Sequence, residues 1–291
     1  MIFVEEFLKY LSFEKRFSRH TVTAYQTDLS QFFIFLGPSA SSLSDISSRH
    51  IRNWIIELSE NGTVPRSIRR KIACLNSYFR WAIRNNYTTA NPCKLITLPK
   101  TAKTLPEFAE EKKLNQVLDE YPFEDNLTGT RNRLIIEMFY TTGIRLSELI
   151  LLGTGDLDTK EMYIRVTGKR NKERLIPVTP YIIEMLNNYL TWREEARPIC
   201  KNLFINKNGK ALYPKLVYRI IHEFLGIAST LTRKSPHILR HTFATHMLNH
   251  GADINAIKEL LGHSSLAATQ VYTHNSFEKL KNVYQQAHPR A

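Results

Sequence analysis

Residues 162–178 read MYIRVTGKRNKERLIPV, and here the apolar pattern of the chain changes to a period of two. In the first half of the stretch, Met162, Ile164 and Val166 alternate with Tyr163 and Arg165. The polar run GKRNKE follows, and then the apolar segment RLIPV returns. Alternation of this kind is typical of β-strands, and a short polar run between two such segments is typical of a hairpin turn. The stretch therefore predicts an antiparallel β-hairpin.

Helical spacing surrounds this hairpin. Upstream, Glu110 to Leu118 and Arg131 to Thr142 carry apolar residues at helical intervals, and Gly143 is a stop signal for the second helix. Downstream, helices resume at Tyr181 and continue, with interruptions, to the end of the chain. The second part of the chain is thus predicted to be an α-rich domain that carries a small antiparallel β-sheet.

Residues 1 to 90 are predicted to be helical throughout. Apolar residues recur at helical spacing in two segments: Phe3, Phe7, Leu8 and Leu11, and then Tyr25, Leu29, Phe32, Phe33 and Leu36. A third helix is expected at about Arg49 to Leu58 and a fourth from Pro65 to Arg84, with Asn61-Gly62 between them. This pattern predicts a small all-α bundle.

A basic linker separates the two parts. Residues 91–106 read NPCKLITLPKTAKTLP, with three prolines, three lysines and little helical periodicity. At 291 residues the chain is long enough for two domains. We therefore predict a mainly α protein with an α-helical domain at residues 1–90, a linker at 91–106 and a second domain at 107–291.

The charge of the chain favours a polyanionic partner. Forty Lys and Arg residues against 27 Asp and Glu give a formal net charge of +13, which attracts polyanions over long range. Nucleic acid is the leading candidate. Apolar runs such as Phe32 to Leu36 are too short to span a bilayer, and no export signal is recognisable, so we expect a cytoplasmic protein without membrane insertion. Cys74, Cys93 and Cys200 form no CxxC pattern and are interpreted as core thiols.

A cluster of cations lies at the start of the fourth predicted helix: Arg66, Arg69, Arg70 and Lys71. Cations at a helix N-terminus oppose the helix dipole, so such a cluster needs another reason to be there. Two interpretations stay open, a solvated charged face and a face that binds DNA phosphates.

Histidines near the C-terminus raise the alternatives of a metal site and of packed core. The pairs His237/His241 and His246/His250 have the four-residue spacing of zinc ligands on a helix, but Ile238 stands where a zinc protease has glutamate. The core interpretation is stronger. In that interpretation, the buried stripe of this helix is Ile238, Leu239, Phe243 and Met247.

A third interpretation is a phosphate site. The second predicted domain contains two arginines, a lysine, two histidines and a tyrosine that together suit phosphate chemistry: Arg145, Lys169, His237, Arg240, His263 and Tyr272. Guanidinium groups neutralise phosphate oxygens, histidine and lysine move protons, and tyrosine can act as a nucleophile. The set is therefore suited to phosphoryl transfer without a metal ion or another cofactor.

Four motifs in this order closely resemble those of the tyrosine site-specific recombinases, and their spacing resembles the XerC/XerD branch. They are TTGIRLSEL, GKRNKERLIPV, SPHILRHTFATHML and LLGHSSLAATQVYTH. The N-terminal segments FLKYLSFEKRFSRHTVTAYQTDLSQFFIFL and PRSIRRKIACLNSYFRWAIRNN are similar to the core-binding domain of that family. The resemblance implies a SAM-like helical core-binding domain followed by an α-rich catalytic domain.

The resemblance also implies a role for each candidate residue. Arg145 and Arg240 would clamp the scissile phosphate, and Tyr272 would attack it to form a 3′-phosphotyrosyl intermediate. His237 would assist proton transfer at the nucleophile, and His263 would hold the phosphate.

Lys169 would protonate the leaving 5′ oxygen, although Lys172 is only three positions away. Arg170 stands where the family usually has glycine, so it is a candidate for an added phosphate contact. Lys172, in the same polar run, is also a candidate DNA contact. Glu148 fits an orienting role beside Arg145, with a surface ion pair as the alternative.

At the level of biology, the resemblance implies a synapse of four protomers on double-stranded DNA recombination sites. It implies resolution of chromosome dimers at cell division, with a second related recombinase and a septal DNA translocase as partners. Two alternatives stay open: an integrase or transposase of a mobile element, and a catalytically inactive architectural DNA-binding protein.

Overall fold

The computed structural model describes residues 2–37, 42–100, 107–168, 172–262 and 274–290, with residues 274–276 as backbone only. The chain divides into two compact units, Met1–Thr104 and Leu105–Ala291. Helices dominate both units, and the second carries a three-stranded antiparallel sheet. The predicted fold class, mainly α with a small antiparallel sheet, is therefore confirmed.

The first unit is a bundle of helices. Its α-helices are α1 (Val4–Lys9), α2 (Arg19–Leu36), α3 (Ser48–Glu60) and α4 (Pro65–Arg84). Ser18 caps α2 by accepting a hydrogen bond from the backbone N–H of Thr21. Pro65 is the first residue of α4, where its missing N–H costs no helical hydrogen bond. The observed bounds of α4 are those that the sequence predicted.

Aromatic side chains form the centre of this bundle. Phe7, Phe32, Trp54 and Tyr78 are fully buried, and Phe7 meets Tyr78 edge to face with ring centroids 5.3 Å apart. The chain after α4 belongs to the same core, because Cys93 is buried there. The compact unit thus extends into the segment that composition assigned to the linker.

The second unit contains the remaining elements. Its helices are α5 (Glu111–Glu120), α6 (Leu127–Thr142), α7 (Leu146–Leu151), α8 (Pro180–Glu195), α9 (Pro214–Ala228), α10 (Pro236–Asn249), α11 (Ile254–Leu261) and α12 (His274–Ala287). Its strands are β1 (Leu157–Asp158), β2 (Tyr163–Thr167) and β3 (Glu173–Pro177). Most of α6 is buried, so this helix forms the centre of the unit.

The predicted hairpin is formed by β2 and β3. In its register Ile164 lies opposite Ile176 and Val166 opposite Arg174. The tip, residues 169–171, is outside the described residues. Met162 precedes β2 with a left-handed φ of 57°, so the expectation that it starts the strand is wrong.

Two further expectations concern thiols and membranes. Cys74 and Cys93 are buried as predicted, but the prediction is wrong for Cys200, which is partly exposed. Among the described residues, no helix combines the length and apolarity needed to cross a bilayer.

Candidate active site

Gly143 creates a sharp break between α6 and α7. It ends α6 with a left-handed φ of 58°. A Cβ atom at this position would lie 2.7 Å from side-chain atoms of both Phe243 and Leu261. Glycine satisfies both constraints, since it lacks a Cβ and tolerates positive φ. The sequence TTGIR therefore brings Arg145 to the N-cap position of α7.

Arg145 is held by a carboxylate and by a carbonyl. Its Nη1 donates to Glu148 Oε1 at 2.7 Å, and its Nη2 donates to the carbonyl oxygen of Gly262 at 2.8 Å. Its side chain keeps 27% of its exposure. Because a guanidinium has five N–H groups, three of them are not used by these two bonds.

Arg240 approaches the same break from α10. Its Nη1 donates to the carbonyl of Gly143, and its Nη2 donates to the carbonyl of Leu261 at 2.6 Å. Burial, together with the positive charges of Arg145 and Arg174, lowers the pKa of Arg240 to about 9. The guanidinium therefore remains protonated at neutral pH.

Three arginines bind three consecutive carbonyls where α11 ends. Arg174 Nε donates to Leu260 O at 2.9 Å, Arg240 to Leu261 O, and Arg145 to Gly262 O. The last carbonyls of a helix lack partners within the helix, and the negative end of the helix dipole favours cations. The arginines thereby fix the residue that immediately precedes His263.

Glu148 is the anion among these cations. It is only 4% exposed, so the alternative of a surface ion pair does not apply. Its Oε1 accepts from Arg145 and from Arg174 at 2.8 Å, and its Oε2 accepts from Arg174 at 2.9 Å. Burial by itself would raise the pKa of Glu148, but hydrogen bonds and charge from Arg174, joined by Arg145, lower it to about 2. The carboxylate is therefore ionised throughout the physiological range.

Arg174 was missed as a site residue when the sequence alone was considered. It was assigned only to the returning strand of the hairpin, yet it is 5% exposed and contacts the carboxylate that binds Arg145. The signal that could have identified it is the period of β3. Arg174 and Ile176 share the buried face of that strand, so a charge here needs a buried partner.

His237 lies on the helix that carries Arg240. It is exposed in the first turn of α10, three residues before Arg240, so the two project from the same side of the helix. The predicted apolar stripe of α10 is buried: Ile238, Leu239, Phe243 and Met247. This confirms the core interpretation for that face.

The metal interpretation fails on the second histidine pair. Both ring nitrogens of His246 are engaged at 3.0 Å, Nδ1 with the Tyr140 hydroxyl and Nε2 with the Ala109 carbonyl. His250 Nε2 lies 3.0 Å from Glu111 Oε2. Within the described part of the chain, no three His, Cys, Asp or Glu side chains are grouped as metal ligands would be.

Four predicted site residues lie outside the described residues: Lys169, Arg170, His263 and Tyr272. The structure thus brings together Arg145, Arg240 and Glu148, adds Arg174, and leaves these four as predictions. Lys172 is described, and its carbonyl accepts a 2.7 Å hydrogen bond from Gly168 N at the base of the hairpin.

In the N-terminal unit, α4 presents an exposed basic face. Its members are Arg66, Arg69 and Arg70, which were predicted, and Arg80 and Arg84, which were not. Arg70 also forms an ion pair with the buried carboxylate of Asp28. Charge and exposure fit both interpretations of this surface, a solvated charged face and a face that binds DNA phosphates, so phosphate binding stays a prediction.

Lys71 does not belong to this face. It is 7% exposed, and its ammonium group lies 3.0 Å from Asp28 Oδ1. The same ammonium donates to Gln31 and sits 5.9 Å from the ring centroid of Trp54. Lys71 stabilises the interior of the bundle, and we remove it from the predicted DNA contacts.

Two family profiles match separate parts of the chain. The profile of the Phage integrase family matches residues 107–279. The profile described as Phage integrase, N-terminal SAM-like domain, matches residues 4–86.

Full-length relatives carry tyrosine recombinase names. Tyrosine recombinase XerC of Pelotomaculum thermopropionicum is 38% identical over 100% of this chain and 99% of its own length. Tyrosine recombinase XerD of Staphylococcus saprophyticus is 36% identical over 99% of each chain. Among solved structures, a post-cleavage complex of XerH recombinase with a difH substrate superposes with a TM-score of 0.75, at 21% identity over 99% of this chain and 81% of the other. That similarity supports the fold.

Proposed function

We propose how this chain cleaves DNA, since it belongs to the phage integrase family and is a tyrosine-type site-specific DNA recombinase. In this proposal, Arg145 and Arg240 hold the scissile phosphate while Tyr272 attacks it. The supporting observation is the convergence of the two arginines, which come from α7 and α10, on the consecutive carbonyls of Gly262 and Leu261. Each guanidinium keeps N–H groups beyond those bonds, and planar guanidinium forks suit the non-bridging oxygens of a phosphate.

Charge stabilisation is the main contribution of this pair. Attack on a phosphodiester concentrates negative charge on the non-bridging oxygens, and preorganised cations stabilise that charge without reorganising. Arg145 and Arg240 are fixed by Glu148 and by backbone carbonyls before DNA arrives. The geometry therefore favours positioning and electrostatic catalysis.

The remaining roles, nucleophilic attack, proton transfer and further phosphate binding, are assigned to residues outside the described ranges or exposed at the surface. The Tyr272 oxygen forms a bond to phosphorus, the bond to the 5′ oxygen breaks, and Lys169 supplies a proton to that oxygen. His237 assists removal of the tyrosine proton, and His263 binds the phosphate. The 3′-phosphotyrosyl bond keeps the energy of the phosphodiester, so the reverse attack by a 5′ hydroxyl rejoins strands without ATP.

The biological role that we propose is resolution of chromosome dimers in the cytoplasm at cell division. Relatives named XerC and XerD both align over nearly the full length of this chain, which favours this role over integration of a mobile element. The proposed assembly is a tetramer on two double-stranded DNA sites, with a second related recombinase and a septal DNA translocase as partners.

A suicide DNA substrate tests the nucleophile. In such a substrate a nick lets the short fragment that carries the free 5′ hydroxyl diffuse away after cleavage, so the covalent protein–DNA complex accumulates and is separated by denaturing electrophoresis. Wild-type protein should form the complex in the presence of EDTA, since cations of the chain replace a metal ion. Tyr272→Phe should bind DNA nearly as well and form none, because it removes one oxygen at the reacting centre.

Tyr218→Phe is the matched control. Tyr218 is 45% exposed on α9, and its loss should leave cleavage unchanged. Tyr284 is a poor alternative nucleophile because it is 1% exposed and burial raises the pKa of its hydroxyl. Covalent complex formed by Tyr272→Phe would refute the assignment, and a wild-type protein that binds DNA without forming it would favour the architectural alternative.

A further inference from the structure

We propose that Arg174 is a positioning residue for strand cleavage, which orients Arg145 through Glu148 and holds the end of α11 in place. This inference rests on the proposed recombinase function and adds a residue to its machinery. Arg174 lies on β3, five positions after Lys169, and its guanidinium reaches two other elements. Through one planar group it connects the hairpin strand with α7 and with α11.

The guanidinium of Arg174 donates hydrogen bonds in two directions, toward Glu148 and toward the carbonyl of Leu260. Nη1 and Nη2 donate to the two carboxylate oxygens of Glu148 at 2.8 and 2.9 Å, a bidentate pair. Nε donates to the carbonyl of Leu260 at 2.9 Å. Bidentate bonding to a carboxylate fixes distance and orientation together. No lysine could reproduce the three bonds, because an ammonium group is a single point donor centre.

Arg145 depends on the same carboxylate. Glu148 Oε1 accepts from both Arg145 and Arg174, so the two arginines share one oxygen and each restrains where the carboxylate points. Glu148 Oε2 also accepts a hydrogen bond from the backbone N–H of Arg145 at 2.9 Å. Without Arg174, only Arg145 would bind this carboxylate, and the Arg145 guanidinium would follow the carboxylate away from the Gly262 carbonyl as it turned about that N–H.

The end of α11 depends on Arg174 as well. Gly262 has a left-handed φ of 65°, and a Cβ atom there would lie only 3.0 to 3.2 Å from Arg174 side-chain atoms. The guanidinium therefore packs directly on the last turn before His263. Arg174 thus positions both Arg145, at the break after α6, and the backbone that leads to His263, a predicted phosphate ligand.

Stability alone does not account for a charge in this position. Buried ion pairs are often no more stabilising than apolar residues of similar volume, so an arginine kept at 5% exposure is better explained by the geometry that it imposes. Displacement of a reacting group by about 1 Å can cost on the order of 100-fold in rate. A positioning role is therefore sufficient to explain why an arginine lies at this buried position.

The experiment compares Arg174→Lys and Arg174→Met with a matched control, Arg193→Lys. Arg193 is also buried, at 7% exposure, and donates to the carbonyls of Cys200, Asn202 and Leu203 in the same unit. Single-turnover cleavage of the suicide substrate, DNA affinity and thermal unfolding are measured for each protein. We expect both Arg174 variants to bind DNA normally but to cleave about 10- to 100-fold more slowly. Arg193→Lys should cleave at the wild-type rate at temperatures well below its unfolding transition.

A pH profile separates positioning from a general loss of stability. Arg174 is the strongest of the groups that keep the pKa of Glu148 low, and, among the described residues, Arg145 and Arg240 also carry charge near it. In Arg174→Met the pKa of the buried carboxylate should rise, so cleavage should fall further as the pH is lowered. Wild type and Arg193→Lys should lack this acid limb.

The outcomes are distinguishable. If wild-type protein forms no covalent complex, the proposed function fails. If wild type cleaves and both Arg174 variants cleave as fast as Arg193→Lys, the proposed function stands and the role of Arg174 is refuted. Slow cleavage without a new acid limb in Arg174→Met would also refute the route through Glu148. Arg174→Lys keeps the buried charge, so its cleavage rate still decides the matter if Arg174→Met does not fold.

Discussion

Two buried glutamates of the second unit differ in how completely arginines bind their carboxylate oxygens. Glu148 is bound by both Arg145 and Arg174, and its pKa falls to about 2. Glu137 on α6 is fully buried, has Arg290 at 3.0 Å from Oε1, and has no hydrogen-bond partner for Oε2 among the described residues. Burial therefore dominates, and it raises the pKa of Glu137 to about 7 against the opposing charges of Arg290 and Arg133.

The two carboxylates should give opposite pH dependences of stability. An unfolded glutamate titrates near 4.5. Between that pH and about 7 the folded chain holds the Glu137 proton more tightly, so rising pH should destabilise wild type relative to Glu137→Gln. At about 1.4 kcal/mol per pKa unit, the difference should approach roughly 3 kcal/mol. Chemical denaturation of both proteins at several pH values measures it.

Glu148→Gln is the contrasting variant. Because the folded pKa of Glu148 is depressed, its contribution to stability is present above pH 4.5 and is lost as the pH falls toward about 2. Wild type should therefore lose stability relative to Glu148→Gln on acidification. If Glu137→Gln and Glu148→Gln respond to pH with the same sign, the balance of burial against charge has been misjudged.

Residue identity was easier to predict than residue partnership. The motifs around Arg145 and Arg240 indicated both arginines, and the position of Glu148 three residues after Arg145 indicated an orienting role. The partner of Glu148 on β3 could not be inferred, because Arg174 is 26 positions away and meets it only through the tertiary fold. Lys71 shows the opposite error. Sequence adjacency grouped it with Arg70, but α4 turns its side chain toward Asp28 and the interior.

At the scale of elements, glycine conformation decides where α6 ends. Gly143 combines a positive φ with close neighbours. Gly251 has a φ of +85°, but no atom lies within 4 Å of the position that a Cβ would take, and Gly155 has neither constraint. Alanine substitutions at these three positions should separate backbone strain from steric overlap.

We expect a graded series of destabilisation. Gly155→Ala should change the free energy of unfolding by less than about 0.5 kcal/mol, as surface substitutions usually do. Gly251→Ala should cost about 1 kcal/mol for the left-handed backbone. Gly143→Ala should cost roughly 2 to 4 kcal/mol, since overlap with Phe243 and Leu261 adds to the strain. If Gly143→Ala and Gly251→Ala lowered the free energy of unfolding equally, the overlap with Phe243 and Leu261 would add no cost. That result would mean that these two side chains move away from the new Cβ easily.

The pairing of α2 with α4 depends on a buried charge cluster. Asp28 is fully buried and accepts from Lys71 and from Arg70. Asp28→Asn leaves the Lys71 ammonium buried without its counter-charge, which should cost about 3 to 5 kcal/mol. The double variant Asp28→Asn/Lys71→Met removes both charges and should recover most of that loss. Denaturant unfolding gives both values, and a double variant no more stable than Asp28→Asn would contradict the charge explanation.

Element prediction succeeded where a local signal was strong. Pro65 and the apolar stripe after it gave the bounds of α4, and alternation gave β2 and β3. The start of α6 was placed at Arg131, but the helix begins at Leu127, because Asn126 caps it by accepting from the N–H groups of Thr128 and Gly129. The strand β1 was missed, since two residues carry no periodicity.

At the scale of the whole molecule, the excess of positive charge acts in two ways, through the net charge of the chain and through a concentrated group of arginines. The net charge of +13 attracts DNA from a distance, whereas the exposed face of α4 concentrates arginines on one helix. Only charges that contact phosphates release condensed counterions, so the salt dependence of binding distinguishes the two contributions.

Wild-type affinity for DNA should fall steeply with salt, by a slope of about −0.9 in log K against log salt for each phosphate that the protein neutralises. Arg66→Ala and Arg69→Ala should each weaken binding and make the slope shallower by about one. Lys9→Ala removes the same charge from an exposed position on α1 and should leave the slope unchanged. Lys71→Met should also leave it unchanged, because that ammonium is buried against Asp28. Equal changes in slope for Lys9→Ala and Arg66→Ala would mean that the overall field of the protein attracts DNA and that the α4 face makes no phosphate contact of its own.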